Sequence, residues 1–226
     1  MPRLLTLCYA LLALLSVGLC FLPSFPGIGI LRALPTALLA AAALSCTRAR
    51  FGIAISLAVA LGSAGDFFLA TGSRAGFVPG LISFLLGHLA YLWAFSRDFR
   101  FTGGKLAILA IAVSGVAALA AAVTVTFIRA GEQALLAPVL IYVVILAATM
   151  IVCVGHRSPT PWIAVGGVVF VISDAHIAVN HMLLDTPLLA VALSGYSTYY
   201  LAQFLFVHGA ACENRHHRDE APEMGG

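Results

Sequence analysis

The sequence predicts an all-α protein, a polytopic membrane bundle of eight transmembrane helices. Three observations carry that reading. The 226 residues are 62% hydrophobic and only 9% charged, against about 25% charged in a soluble domain. The mean hydropathy is +1.04, and apolar runs long enough for roughly 30 Å of hydrocarbon recur from end to end. Between them lie short breaks rich in Pro, Gly and charge, which force neighbouring helices to run antiparallel.

The first helix is expected over 4–22. Its opening, MPRLLTLCYALLALLSVGLC, resembles a signal peptide, but no A-x-A-like site follows, so it reads as a retained span. Pro23 to Gly29 ends it, and a second helix is expected over 30–46. Thr47 to Arg50 leads into a third over 51–70, which carries Asp66. Thr71 to Gly76 turns the chain into a fourth over 77–96, which carries His88. The fifth and sixth, over 104–127 and 134–154, are almost wholly aliphatic and are separated by Arg129 to Gln133. A seventh over 160–181 carries Asp174, and an eighth over 187–210 carries Tyr196, Tyr199, Tyr200 and Gln203. Residues 1–212 are thus expected as one domain, with 213–226, ENRHHRDEAPEMGG, as a disordered polar tail.

Eight spans place both termini on one side. Arg3, Arg48, Arg50, Arg97, Arg100, Lys105, Arg157, Arg215 and Arg218 fall there, nine in all, against three (Arg32, Arg74, Arg129) opposite. That bias assigns both termini to the cytoplasm, in the cell (inner) membrane if the source is bacterial. The net charge of +3 comes from loop arginines, without aromatics interleaved in a basic patch, so no nucleic-acid partner is expected. The five cysteines are scattered and form no CxxC pair, so neither a disulfide framework nor a zinc–cysteine site is indicated. No metal and no cofactor are expected; the bilayer is the expected partner, and oligomeric state is left open.

Two acids, Asp66 and Asp174, lie inside spans, where an ionisable side chain is costly and marks a functional site by default. They stand 108 residues apart, each on the third of four helices. The same offset aligns Gly87 with Gly195 and Tyr91 with Tyr199, as a four-plus-four parallel repeat would. At 1.5 Å per residue the acids lie roughly 22 and 21 Å in from the cytoplasmic face, at one level, and are expected to share a cavity. His88 enters from the other face within reach of that level, with Tyr91 one turn deeper. Tyr199 and Gln203 offer polar groups from the eighth helix. His176 lies nearly opposite Asp174 on its helix and is left out of the site, whereas His181 shares the Asp174 face.

Several fragments together resemble one family. They are G-D-x-x-L at Gly65, Asp66 and Leu69; F-x-x-G-x-x-x-F-x-x-x-H-x-x-Y at Phe77, Gly80, Phe84, His88 and Tyr91; and G-x-x-x-F-x-x-S-D-x-x-I-A from Gly166 through Ser173 and Asp174 to Ala178. Y-x-x-A-Q at Tyr199, Ala202 and Gln203 closes the set. With these the chain resembles the YhhN-type membrane proteins, the lysoplasmalogenases, over nearly its whole length. The resemblance implies cleavage of the vinyl-ether bond of a lysophospholipid substrate, giving a fatty aldehyde and a glycerophospho-base. It implies Asp66, Asp174 and His88 as catalytic residues, with Tyr91, Ser173, Tyr199, Gln203, Arg32 and Arg74 toward the substrate. One departure is that Arg32-Ala33-Leu34-Pro35 stands where the family often has Lys-Pro. The chemistry suits paired carboxyls, since vinyl-ether hydrolysis needs a proton on carbon and then water at an oxocarbenium ion. The alternative is a proton-coupled transporter, which also places acids near a repeat interface. Pro35 and Pro138, read as lying near helix starts, count against it. A metal-dependent hydrolase using Asp66, His88, Asp174 and His181 has no matching ligand spacing. An aspartyl intramembrane protease lacks its G-x-G-D, since Ser63-Ala64-Gly65 precedes Asp66.

Overall fold

The computed structural model describes residues 1–47, 49–72, 74–100, 106–131, 136–179 and 188–219, with the backbone alone at 49, 74, 108, 112, 130 and 217. Among these residues there are eight α-helices and no strand. They are α1 (Arg3–Gly18), α2 (Ile28–Cys46), α3 (Ala49–Leu69), α4 (Arg74–Phe95), α5 (Leu106–Ala130), α6 (Leu136–Gly155), α7 (Trp162–Ala178) and α8 (Leu189–Asp219). Stretches of α1 through α6 are long and apolar enough to cross a membrane, six in all. α7 is apolar but 17 residues long in its described part. α8 falls outside that set because its middle is polar around Tyr196 to Gln203, and Tyr199, Tyr200 and Gln203 there are buried.

The outer surface is apolar. Leu4, Leu11, Ile111 and Val144 stand exposed, a surface that hydrocarbon tolerates and water does not. The interior holds the polar groups instead. α2, α3, α4, α6, α7 and α8 pack around it, and α1 and α5 lie at the periphery, with 17% and 18% of their spanning stretches buried against 50% for α2.

The ends of four helices meet at one level. His156, just after α6, bonds through Nδ1 to the Phe95 carbonyl at the end of α4 (2.9 Å) and through Nε2 to Glu213 of α8 (2.9 Å). Asn214 of α8 donates to the Cys46 carbonyl that ends α2 (3.2 Å). These four helices therefore run in one direction, as the alternation of spans requires. The same bonds explain why α8 continues to Asp219. Residues 213–219, expected as disordered tail, are helical because Glu213 and Asn214 are buried against the ends of α6 and α2.

Pro35 lies inside α2, not near its start, and the helix continues through it. A proline there removes one N–H and disturbs the turn before it. Hydroxyls from neighbouring helices take the carbonyls of that turn: Tyr200 donates to the Arg32 carbonyl (2.8 Å) and Ser63 to the Ala33 carbonyl (2.8 Å). In lipid such bonds replace what water would supply. The same Tyr200 holds α1, accepting the Ser16 hydroxyl (2.5 Å) and, at its carbonyl, the Tyr9 hydroxyl (2.5 Å). Close approach of α3 to its neighbours rests on two glycines. A Cβ on Gly62 would stand 2.7 Å from Gln203 Nε2, and one on Gly65 would stand 2.6 Å from the Phe84 ring.

Candidate active site

Asp66 comes from the last turn of α3 and is buried. Its Oδ2 accepts the Thr36 hydroxyl of α2 (2.9 Å) and the Tyr199 hydroxyl of α8 (3.0 Å). Behind Tyr199 the donors line up. Tyr91 donates to Gln203 Oε1 (2.5 Å), and Gln203 Nε2 donates to the Tyr199 hydroxyl (3.3 Å), which leaves the Tyr199 proton directed at Asp66. Each group in this chain donates toward the carboxylate, so its geometry is fixed from α4 and α8 together.

Asp174, near the end of α7, is buried likewise and accepts the Tyr142 hydroxyl of α6. His88 Nε2 of α4 stands 3.7 Å from its Oδ2 and 3.4 Å from the Tyr142 oxygen. The His88 Nδ1 is buried with no hydrogen-bond partner among the described residues. Both acids are thus served alike. Each sits on the third helix of its four, takes a hydroxyl from the helix before it, and meets a side chain from the last helix of the other four.

The expectation of one shared cavity gives way to two adjoining ones. Asp66 lines one pocket with Ser173, His176, Gly195, Tyr196 and Tyr199. Asp174 lines a second, with Phe77, Leu81, Leu119, Val123 and Tyr142 among its walls. Leu69, Phe84 and Ile177 line both and stand between them. Phe170 links the two sets of polar groups from behind, its ring 4.7 Å from His88 and 5.7 Å from Tyr199.

The predicted residues fall into three positions. Asp66, Asp174, Ser173 and Tyr199 face pockets, and His88 touches Asp174 from behind the pocket wall. Tyr91 and Gln203 are 1% exposed and line neither pocket, so they support Tyr199 and stand away from any bound molecule. Arg32 is buried, 3.9 Å over the Tyr196 ring and 3.7 Å from Cys20 Sγ, with no carboxylate in ion-pair reach among the described residues. The Arg74 side chain and His181 lie outside the described residues. Three participants were missed. His176 does face away from Asp174, but that opposite face lines the Asp66 pocket. Thr36 and Tyr142 supply the hydroxyls to the acids, and nothing in their aliphatic surroundings marks them. Among the described residues no three side chains of the His, Cys, Asp and Glu types converge as a metal-ligand set.

Comparison with known proteins places this arrangement. Two curated relatives, each named lysoplasmalogenase, one from Mycobacterium bovis and one from Mycobacterium tuberculosis, are 33% identical to the chain over 177 residues. That stretch is 76% of this chain and 66% of each relative, so the chain spans just under two thirds of their length. No solved structure matches it. The YhhN family profile matches residues 29–210, from the start of α2 through most of α8 and across both acids. The chain belongs to the YhhN family.

Proposed function

We propose that the chain is an integral membrane hydrolase that cleaves the vinyl-ether bond of lysoplasmalogens with Asp66 and Asp174 as its acid–base pair. The observation that carries this reading is the pair of buried carboxyls, each held by hydroxyl donors, on either side of one thin wall between two pockets. The names of the two relatives supply the substrate class. The reaction adds one water: a carboxyl proton goes to the alkenyl carbon, and water attacks the oxocarbenium carbon while losing a proton to the other carboxylate. The hemiacetal then collapses to a fatty aldehyde and the free hydroxyl of the glycerophospho-base. His88 and Tyr142 orient Asp174, and Thr36 and Tyr199 orient Asp66. Tyr91 and Gln203 hold Tyr199, and Ser173 lies beside the substrate. Arg32, a buried cation without a carboxylate among the described residues, supports phosphate recognition, with Arg74 at the same end of the bundle. All eight helices span the bilayer, both termini are cytoplasmic, and the two four-helix sets descend from one duplicated unit.

Purified protein given lysoplasmalogen should release aldehyde, and Asp66→Asn or Asp174→Asn should each lower the rate by at least about 10²-fold. An aspartate whose replacement leaves the rate intact has no part in the reaction. One observation favours a proton-coupled transporter: the twofold likeness of the acids across the two helix sets, as in transporters built from repeats. Solute flux in proteoliposomes without release of aldehyde would select it.

A further inference from the structure

The two pockets differ in chemistry. Apart from Asp174 and the Tyr142 hydroxyl, the walls of one are Leu, Phe, Val, Ile and Ala side chains. The other presents Ser173, His176, Tyr196 and Tyr199 beside Asp66, among Leu69, Phe84, Ile177, Val191 and Ala192, and Arg32, which does not line it, stacks on the Tyr196 ring. A lysophospholipid is divided in the same way, into an apolar chain and a charged glycerophospho-base. Burying the charged part against purely aliphatic walls is costly, whereas hydroxyls and an imidazole can hydrogen-bond it.

From this match we infer that the lipid straddles the wall of Leu69, Phe84 and Ile177, with its alkenyl chain in the Asp174 pocket and its glycerophospho-base in the Asp66 pocket. The inference rests on the hydrolase reading above and adds an orientation to it. Orientation then divides the labour. The alkenyl carbon that gains a proton lies on the chain side of the vinyl ether, and the C–O bond that breaks lies on the head-group side. Asp174 gives its proton to that carbon as the double-bond pair moves to form the oxocarbenium ion. Asp66 takes a proton from the attacking water and passes it to the ether oxygen as the C–O bond breaks. The hemiacetal hydroxyl proton returns to Asp174, so one water is consumed and both acids end as they began. His176, on the head-group side, becomes a specificity-determining residue.

The test compares kcat/KM for short-chain and long-chain lysoplasmalogens carrying ethanolamine or choline. Val143 of α6 is half-buried and lines the Asp174 pocket. Val143→Phe should lower the long-to-short ratio by about tenfold and leave the ethanolamine-to-choline ratio within about twofold, and His176→Ala should do the reverse. Crossed effects, or both ratios unchanged in protein that still releases aldehyde, would overturn the orientation. Should Val143→Phe fail to fold, Val143→Ala is expected to raise the long-to-short ratio, and an unchanged ratio counts against the inference equally. Binding of saturated 1-alkyl lysophospholipids, read by thermal shift, separates the two levels of the argument. Wild-type protein that releases no aldehyde yet binds long chains better, a preference lost in Val143→Phe, would remove the hydrolase reading and keep the orientation. Loss of chain-length dependence in this binding would remove the orientation.

Discussion

At the scale of single residues, the hydroxyl donors decide what the acids do. Tyr142→Phe removes a hydroxyl from Asp174 and leaves His88 as its neighbour. The expected result is a fall in aldehyde release of about 10²-fold in kcat with KM little changed, measured on detergent-purified protein. Tyr91→Phe acts one bond further away. It leaves Gln203 Oε1 buried without its donor, so it should lower stability by about 1–3 kcal/mol, read as an earlier thermal transition. Gly62→Ala should disturb the same group from the other side, since the new methyl would press on both Gln203 and the Tyr199 hydroxyl. Much of this was legible in the chain itself. An aspartate amid aliphatic residues announces itself, and helical spacing correctly set His176 apart from Asp174. What spacing cannot give is the neighbour on each face. His176 faces away from one acid, and that direction leads to the pocket of the other. Thr36 and Tyr142 went unremarked because a lone hydroxyl in a lipid-facing run and one in a bundle interior read alike.

At the scale of elements, α8 runs past the end that its sequence predicts for a related reason. ENRHH reads as solvated tail because its charges have no partner nearby in sequence; the partners are His156, some 57 residues away, and the end of α2. This pair gives a pH prediction. Burial pushes the His156 imidazole down, but the Glu213 hydrogen bond and charge, the Phe95 carbonyl and Asp98 together hold it above the ordinary histidine value. Its folded value being raised, the stabilisation is fully present below the unfolded value of about 6.5 and is lost as pH rises through the folded value. Thermal transitions followed across neutral pH should therefore fall on the alkaline side, and Glu213→Gln should flatten that dependence. The order of helices, by contrast, is plain from hydropathy, because each apolar run stands apart from the polar breaks beside it. Pro35 shows the limit of that reading. Its place in the helix interior became clear only once the start of α2 was fixed by Gly27, whose positive φ of 93° sets the turn before Ile28.

At the scale of the whole molecule, the two acids stand in like surroundings. α1 and α5 are the outermost members, α3 and α7 carry the acids, and α4 and α8 reach across to the opposite acid. An offset shared by an aspartate, a glycine and a tyrosine is the sequence ground for expecting a repeat; the division of the interior by Phe84 and its neighbours arises only when α3, α4 and α7 come together. A topology prediction belongs here. A fluorescent reporter fused at the C-terminus should be bright and a secreted phosphatase in the same position silent, and the reverse would invert the assigned orientation.

The junction of Cys46, Phe95, His156 and Glu213 has a mechanical consequence. It rivets four parallel rods together at the end remote from both carboxyls. A frame fastened in this way yields by splaying at its free end, as tongs open about their pin. Under the proposed hydrolase reading, lipid enters at the end opposite a joint it never touches, and loosening that joint with Asn214→Ala should change the KM for lipid before it alters kcat.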